Sequence, residues 1–83
     1  MPIDGTLDLH AFDPSEVGDL VPEWMEACRA GGLRELRIVH GKGTGALGRS
    51  VASILARSPL VESFRVAGEG GGGWGAVLVT LRR

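Results

Sequence analysis

Residues 38–45 read Ile38-Val39-His40-Gly41-Lys42-Gly43-Thr44-Gly45. A short apolar run of strand character ends in a histidine. Three glycines alternating with Lys42 and Thr44 follow, and a helical pattern opens at about Ala46. A strand that feeds a glycine-rich turn and then a helix predicts a βα unit with an anion site at its turn. Small residues let the backbone approach an oxyanion, free N–H groups point at it, and the helix dipole favours negative charge there. Lys42 adds a mobile cation, and His40 a group that exchanges protons near neutral pH. The expectation is therefore a phosphate held by Gly41, Lys42, Gly43, Thr44 and Gly45.

Outward from this loop the chain resolves into alternating elements. Upstream, Leu33 to His40 reads as a strand carrying Leu36, Ile38 and Val39. Before it, Asp13-Pro14-Ser15-Glu16 is a helix start, with Asp13 as N-cap, Pro14 in the first helical position and Glu16 placed for a capping box. Val17, Leu20, Val21, Trp24, Met25 and Cys28 follow at helical spacing, so one amphipathic helix runs on to Gly31-Gly32. Pro22 falls on its polar face, where the carbonyl it orphans can turn to water and bend the helix without breaking it. Thr6-Leu7-Asp8-Leu9-His10 alternates as a first strand. Downstream, a helix over about Ala46 to Arg57 turns Leu47, Val51, Ile54 and Leu55 inward and is stopped by Ser58-Pro59. Val61 to Ala67 is a third strand with Phe64 and Val66. Gly68 to Gly73 connects it, past Trp74, to a last strand over Val77 to Leu81.

The order β-α-β-α-β-β predicts an α/β two-layer sandwich, a four-stranded mixed sheet with two helices on one face. Strands one to three should run parallel, with an antiparallel strand added by the final hairpin. Parallel strands bring His10 and His40 to the same carboxyl end of the sheet, where open α/β sheets bind ligands. Asp8 and His10, two apart on a strand, would aim the same way, so the carboxylate can orient or charge the imidazole.

Composition bounds the remaining possibilities. The 83 residues make a single domain, 1–83, with 43% hydrophobic residues and one cysteine, too few for an internal disulfide. No signal peptide opens the chain and no apolar run approaches the ~20 residues of a membrane span. The expectation is a cytoplasmic protein with no membrane partner. The net charge of −1 hides a dipole. Residues 1–26 hold seven acids and no Lys or Arg, whereas residues 27–83 hold nine basic residues and three acids. A basic half carrying the glycine loop suits a polyanion such as DNA or RNA, and an acidic first helix would repel one.

Several familiar motifs are excluded by their context. Gly43-Thr44-Gly45-Ala46-Leu47-Gly48 matches the dinucleotide pattern G-x-G-x-x-G, but Glu62 stands at the wrong end of its strand and the chain is too short for the full unit. Lys42 precedes the closing glycines, so the loop is not a phosphate-binding Walker loop. Two His and one Cys are too few ligands for structural zinc, and Cys28 lies on a core face. Trp24 and Met25 sit at core spacing; Trp74 either packs the sheet or stacks a base.

Leu7-Asp8-Leu9-His10, then His40-Gly41-Lys42-Gly43-Thr44-Gly45 with Leu47 and Val51, then the late glycines into Gly75-Ala76, resemble in this order the Smr (small MutS-related) domain, here in stand-alone form. The resemblance implies a fold similar to the C-terminal domain of translation initiation factor three. It also implies nucleic-acid binding and, in many members, endonuclease action, in some beside repair or ribosome-rescue proteins. Asp8 and His10 would carry the family's acid–histidine motif, and His40 to Gly43 its glycine loop. One departure stands out. The family usually has glycine after the first histidine, and Ala11 would displace the turn and His10 if that position needed a left-handed backbone.

The expected function is a nuclease in which Asp8, His10 and His40 manage protons and the loop stabilises developing charge. On RNA the 2′-hydroxyl could attack with no metal. On DNA water must attack, and Asp8 would then help hold a divalent cation, Mg or Mn. One alternative is a non-catalytic module that grips nucleic-acid backbone through the loop, Arg49, Arg57 and Arg34. Another is a protein-interaction domain that offers its acidic helix to a basic partner such as a ribosomal protein.

Overall fold

A computed structural model describes residues 4–41, 46–66 and 75–83. Its elements are β1 (Thr6–Asp8), α1 (Val17–Ala30), β2 (Glu35–Val39), α2 (Ala46–Arg57), β3 (Val61–Val66) and β4 (Ala76–Leu81), with 3-10 turns at Leu9–Ala11 and Pro14–Glu16. The strands form one mixed sheet and the two helices cover one of its faces.

The start of the first helix follows its sequence signals. The Asp13 carboxylate accepts from the Ser15 N–H while Glu16 reaches back to the Asp13 N–H, closing the capping box around Pro14. α1 then runs unbroken through Pro22. It ends in a Schellman motif, in which Leu33 N–H bonds the Cys28 carbonyl at 2.9 Å and Gly32 N–H that of Arg29 at 3.0 Å.

The sheet order is β1-β2-β4-β3. β1 pairs parallel with β2, and β4 pairs antiparallel with both β2 and β3. Strands one to three thus share a direction, as expected, but β4 inserts between the second and third. Its burial explains the position: Ala76, Val77, Val79 and Leu81 are all buried, the mark of a strand flanked on both sides. β3 becomes an edge, and Val66 is left 69% exposed there.

One core fills the space between the layers. Leu7, Leu36, Ile38, Val61, Val77, Val79 and Leu81 from the sheet meet Val17, Val21, Trp24, Met25 and Cys28 of α1 and Val51 and Leu55 of α2. Leu47 and Ile54 pack at its margin. Cys28 is fully buried, and burial pushes its thiol up, as befits a small core hydrophobe. Among the described residues no helix is long and apolar enough to cross a membrane.

Candidate functional site

The carboxyl ends of β1 and β2 meet at one edge of the sheet, since Asp8 is in register with Val39. β1 stops at Asp8, two residues earlier than its alternation predicts. The cause is Asp8 itself, whose side chain caps the Leu9–Ala11 turn by accepting the His10 backbone N–H at 2.9 Å. Short acidic side chains compete in this way with ladder hydrogen bonds. The same Oδ1 accepts from His10 Nδ1 at 2.8 Å. Asp8 and His10 are therefore paired through a tight turn, where strand alternation predicts two side chains on one face. The hydrogen bond from the His10 backbone, aided by the imidazole, holds the Asp8 carboxyl below its usual range. Both side chains stay open to solvent, at 60% and 62% exposure. Ala11 has an ordinary backbone: no non-glycine among the described residues has positive φ. The turn needs no glycine there, and Ala11 leaves His10 in place.

With Nδ1 donating to Asp8, Nε2 is the nitrogen of His10 left without a hydrogen-bond partner among the described residues, and it lies over Gly41. A Cβ built on Gly41 would fall 2.5 Å from it, and Gly41 has φ +81°. Only glycine satisfies both the backbone conformation and the close approach. His40 Nδ1 lies 2.9 Å from the carbonyl of the same Gly41, the arrangement of an N–H donor. Its Nε2 is then the second imidazole nitrogen at this edge with no hydrogen-bond partner among the described residues. The His40 ring packs against Gly48, where a Cβ would sit 2.9 Å from Cε1. Gly75, the residue before β4, closes the arrangement. Its carbonyl accepts the N–H groups of His40 and Gly41 at 2.6 and 2.9 Å, and a Cβ on it would fall 2.6 Å from the Gly41 carbonyl carbon.

Asp8, His10, His40 and Gly41 thus converge as expected. Lys42, Gly43, Thr44, Gly45 and Trp74 lie outside the described residues. Arg49 does not join the histidines. It faces a groove between α1 and α2, with Gly18, Ser53 and Arg57. Sequence reasoning missed the packing roles of Gly48 and Gly75. Gly48 carried a signal, because glycine inside a helix costs about 1 kcal/mol relative to alanine and so needs a packing reason. As to a metal, Asp8 and His10 offer two donors already bonded to each other. Among the described residues no group of three or more His, Cys, Asp or Glu comes together. These side chains alone do not fit a divalent cation.

A model of the Smr domain family matches residues 7–82. Endonuclease MutS2 of Thermus thermophilus is 43% identical over 76 residues, which are 92% of this chain and 10% of that protein. Endonuclease MutS2 of Clostridium botulinum (strain Eklund 17B) is 36% identical over 80 residues, 96% of this chain and again 10% of the relative. The chain therefore spans about a tenth of the length of these curated relatives. Among solved structures, the Smr domain of Thermus thermophilus MutS2 matches with a TM-score of 0.87 at 41% identity, covering 96% of this chain and 100% of that one. YdaL, a stand-alone small MutS-related protein from Escherichia coli, matches with a TM-score of 0.83 at 32% identity, covering 99% and 67%. With the family's pattern spanning nearly every residue and the fold superimposing throughout, this chain belongs to the Smr domain family.

Proposed function

We propose that this domain binds nucleic acid and cleaves its phosphodiester backbone by proton transfer at His10 and His40. The observation that carries the proposal is the pair of imidazoles that meet at Gly41, each with Nδ1 engaged and Nε2 without a hydrogen-bond partner among the described residues. Asp8 fixes the tautomer of His10 and would stabilise the imidazolium formed when Nε2 accepts a proton. A phosphate beside Gly41 would lie within reach of both rings. Lys42 and the amides of residues 41–45 would neutralise the charge that develops on its oxygens.

On RNA the atoms balance without a further reactant. His10 Nε2 takes the proton of the 2′-hydroxyl, whose oxygen attacks phosphorus. The bond from phosphorus to the 5′-oxygen breaks, and protonated His40 gives that oxygen a proton. On DNA, water is the nucleophile: it loses a proton to His10 Nε2 as its oxygen attacks phosphorus, the bond from phosphorus to the leaving oxygen breaks, and protonated His40 gives that oxygen a proton. The relatives that carry the name endonuclease support the reaction class, and the proposal extends it to this chain. The domain would act in the cytoplasm, on nucleic acid that is free or held by a ribosome or a repair protein.

The test is the pH dependence of cleavage. An acid and a base acting together give a bell-shaped profile, and His10→Ala should abolish its acid limb along with most of the rate. Cleavage unchanged in His10→Ala would refute the proposal.

A further inference from the structure

We infer that the open face of the sheet holds an unstacked base of a single strand whose backbone passes His10. Side-chain direction decides which face is involved. Leu7 points into the core, so Asp8 and Thr6 lie on the face that no helix covers. The Asp8–His10 pair therefore stands on the open-face side of the edge, whereas His40 leans on α2 through Gly48. The surface that continues from His10 is the sheet, and the groove with Arg49 and Arg57 lies behind it.

Strand register gives this face its rows. Asp8, Val39 and Ala76 align nearest the edge. One row further, Thr6, Arg37, Leu78 and Arg65 align across all four strands. Glu35, Thr80 and Ser63 follow. The last two rows line a cavity of about 430 Å³ that also reaches Asp4 and Phe64. This size is within the usual range for a small-ligand site.

The chemistry of the cavity favours a base over a phosphate. A phosphate has only acceptors, and a site built for it would hold only donors. Here Leu78 forms an apolar floor between two guanidinium groups, the kind of surface on which a flat ring stacks. Arg37 lines the cavity, and its Nε is buried with no hydrogen-bond partner among the described residues, so it is the open-lying end of the guanidinium that can donate to a ligand. At the end remote from His10 stands the Glu35 carboxylate, held by the Thr80 hydroxyl at 3.2 Å and able to accept from amino groups on a base. Donors, acceptors and an apolar floor together match a base edge and ring. A base in a duplex is stacked and paired and would have to be flipped out, at the cost of that stacking and pairing, to lie on this face. The substrate class is therefore single-stranded.

The inference rests on the cleavage reading only in placing the strand's phosphate at His10. It is tested on isotopically labelled His10→Ala protein, titrated with a single-stranded dodecamer and with the same strand made abasic at its central positions. Amide shifts at Thr6, Arg37, Leu78 and Arg65 on binding the normal strand, lost with the abasic one, are expected. Arg65→Glu, an exposed edge-strand change, should weaken binding of the normal strand roughly tenfold or more. Equal binding of the abasic strand, or shifts confined to α2 with a loss of binding in Arg57→Glu and none in Arg65→Glu, would overturn it. Cleavage by native protein alongside either result would leave the proposed reaction standing. Absence of both binding and cleavage would remove the two together.

Discussion

Gly41→Ala puts a methyl group where the structure has no room. Its Cβ would lie 2.5 Å from His10 Nε2 and 3.2 Å from Cε1. An ordinary contact is about 3.5 Å, so the imidazole must retreat by about 1 Å. Retreat stretches the 2.8 Å hydrogen bond to Asp8 that holds the ring. The backbone contributes separately. A φ of +81° costs an alanine about 1–2 kcal/mol. Strain and displacement together should destabilise the domain by about 1–3 kcal/mol, which for a domain of this size lowers Tm by roughly 5–20 °C. Misplacement of a reacting group by about 1 Å also costs on the order of a hundredfold in rate. Thermal unfolding checks the first figure, single-turnover cleavage the second, and the His10 ring resonances report the displacement directly. An unchanged Tm with unshifted His10 resonances would refute the reasoning.

Other substitutions separate the contributions of neighbouring groups. Gly75→Ala sets a Cβ against the backbone of Gly41, which cannot swing aside, and adds a φ of +88°, so its loss of stability in urea should exceed that of Gly41→Ala. Gly48→Ala gains up to about 1 kcal/mol of helix propensity but presses on His40, so Tm should change little while the His40 resonances shift and cleavage slows. Gly18→Ala meets nothing within 4 Å and should stabilise by about 0.5–1 kcal/mol, read as a higher urea midpoint. Asp13→Ala removes the helix cap and should lower Tm. Hydrogen bonds from Ser15 hold the Asp13 carboxyl below 3.8, so its stabilisation is full above the unfolded value and fades as pH falls through the folded one. The gap between native protein and this variant should therefore narrow in acid.

Much of this arrangement is legible in the residues, and what is not has physical causes. Asp13, Pro14 and Glu16 announce α1 because capping is local chemistry, and the helix survives Pro22 because that residue falls away from the core face. Ala46 to Arg57 has the same bounds in sequence and structure. Strand order is different, since it depends on which edges meet. The near-continuous burial of Ala76 to Leu81 marks a central strand, but the two-residue alternation around Leu78 and Thr80 disguises it. The Leu9–Ala11 turn is hidden because Asp8 fits an alternating strand as well as it fits a cap. That Asp8 and His10 pair was readable from their spacing, although the hydrogen bonds run through a turn. The packing of Gly48 on His40 and of Gly75 on Gly41 needs atomic positions, because a glycine in sequence does not say what approaches it.

The most direct measurement is a cleavage assay on highly purified protein, with supercoiled plasmid and single-stranded RNA side by side, each with magnesium and with EDTA. The Asp8→Ala/His10→Ala double variant, prepared identically, is the control. The account predicts cleavage of at least one of the two substrates, the single-stranded RNA first, by the native protein, and its loss in the variant. Native protein that cleaves no more than the variant on either substrate would contradict it.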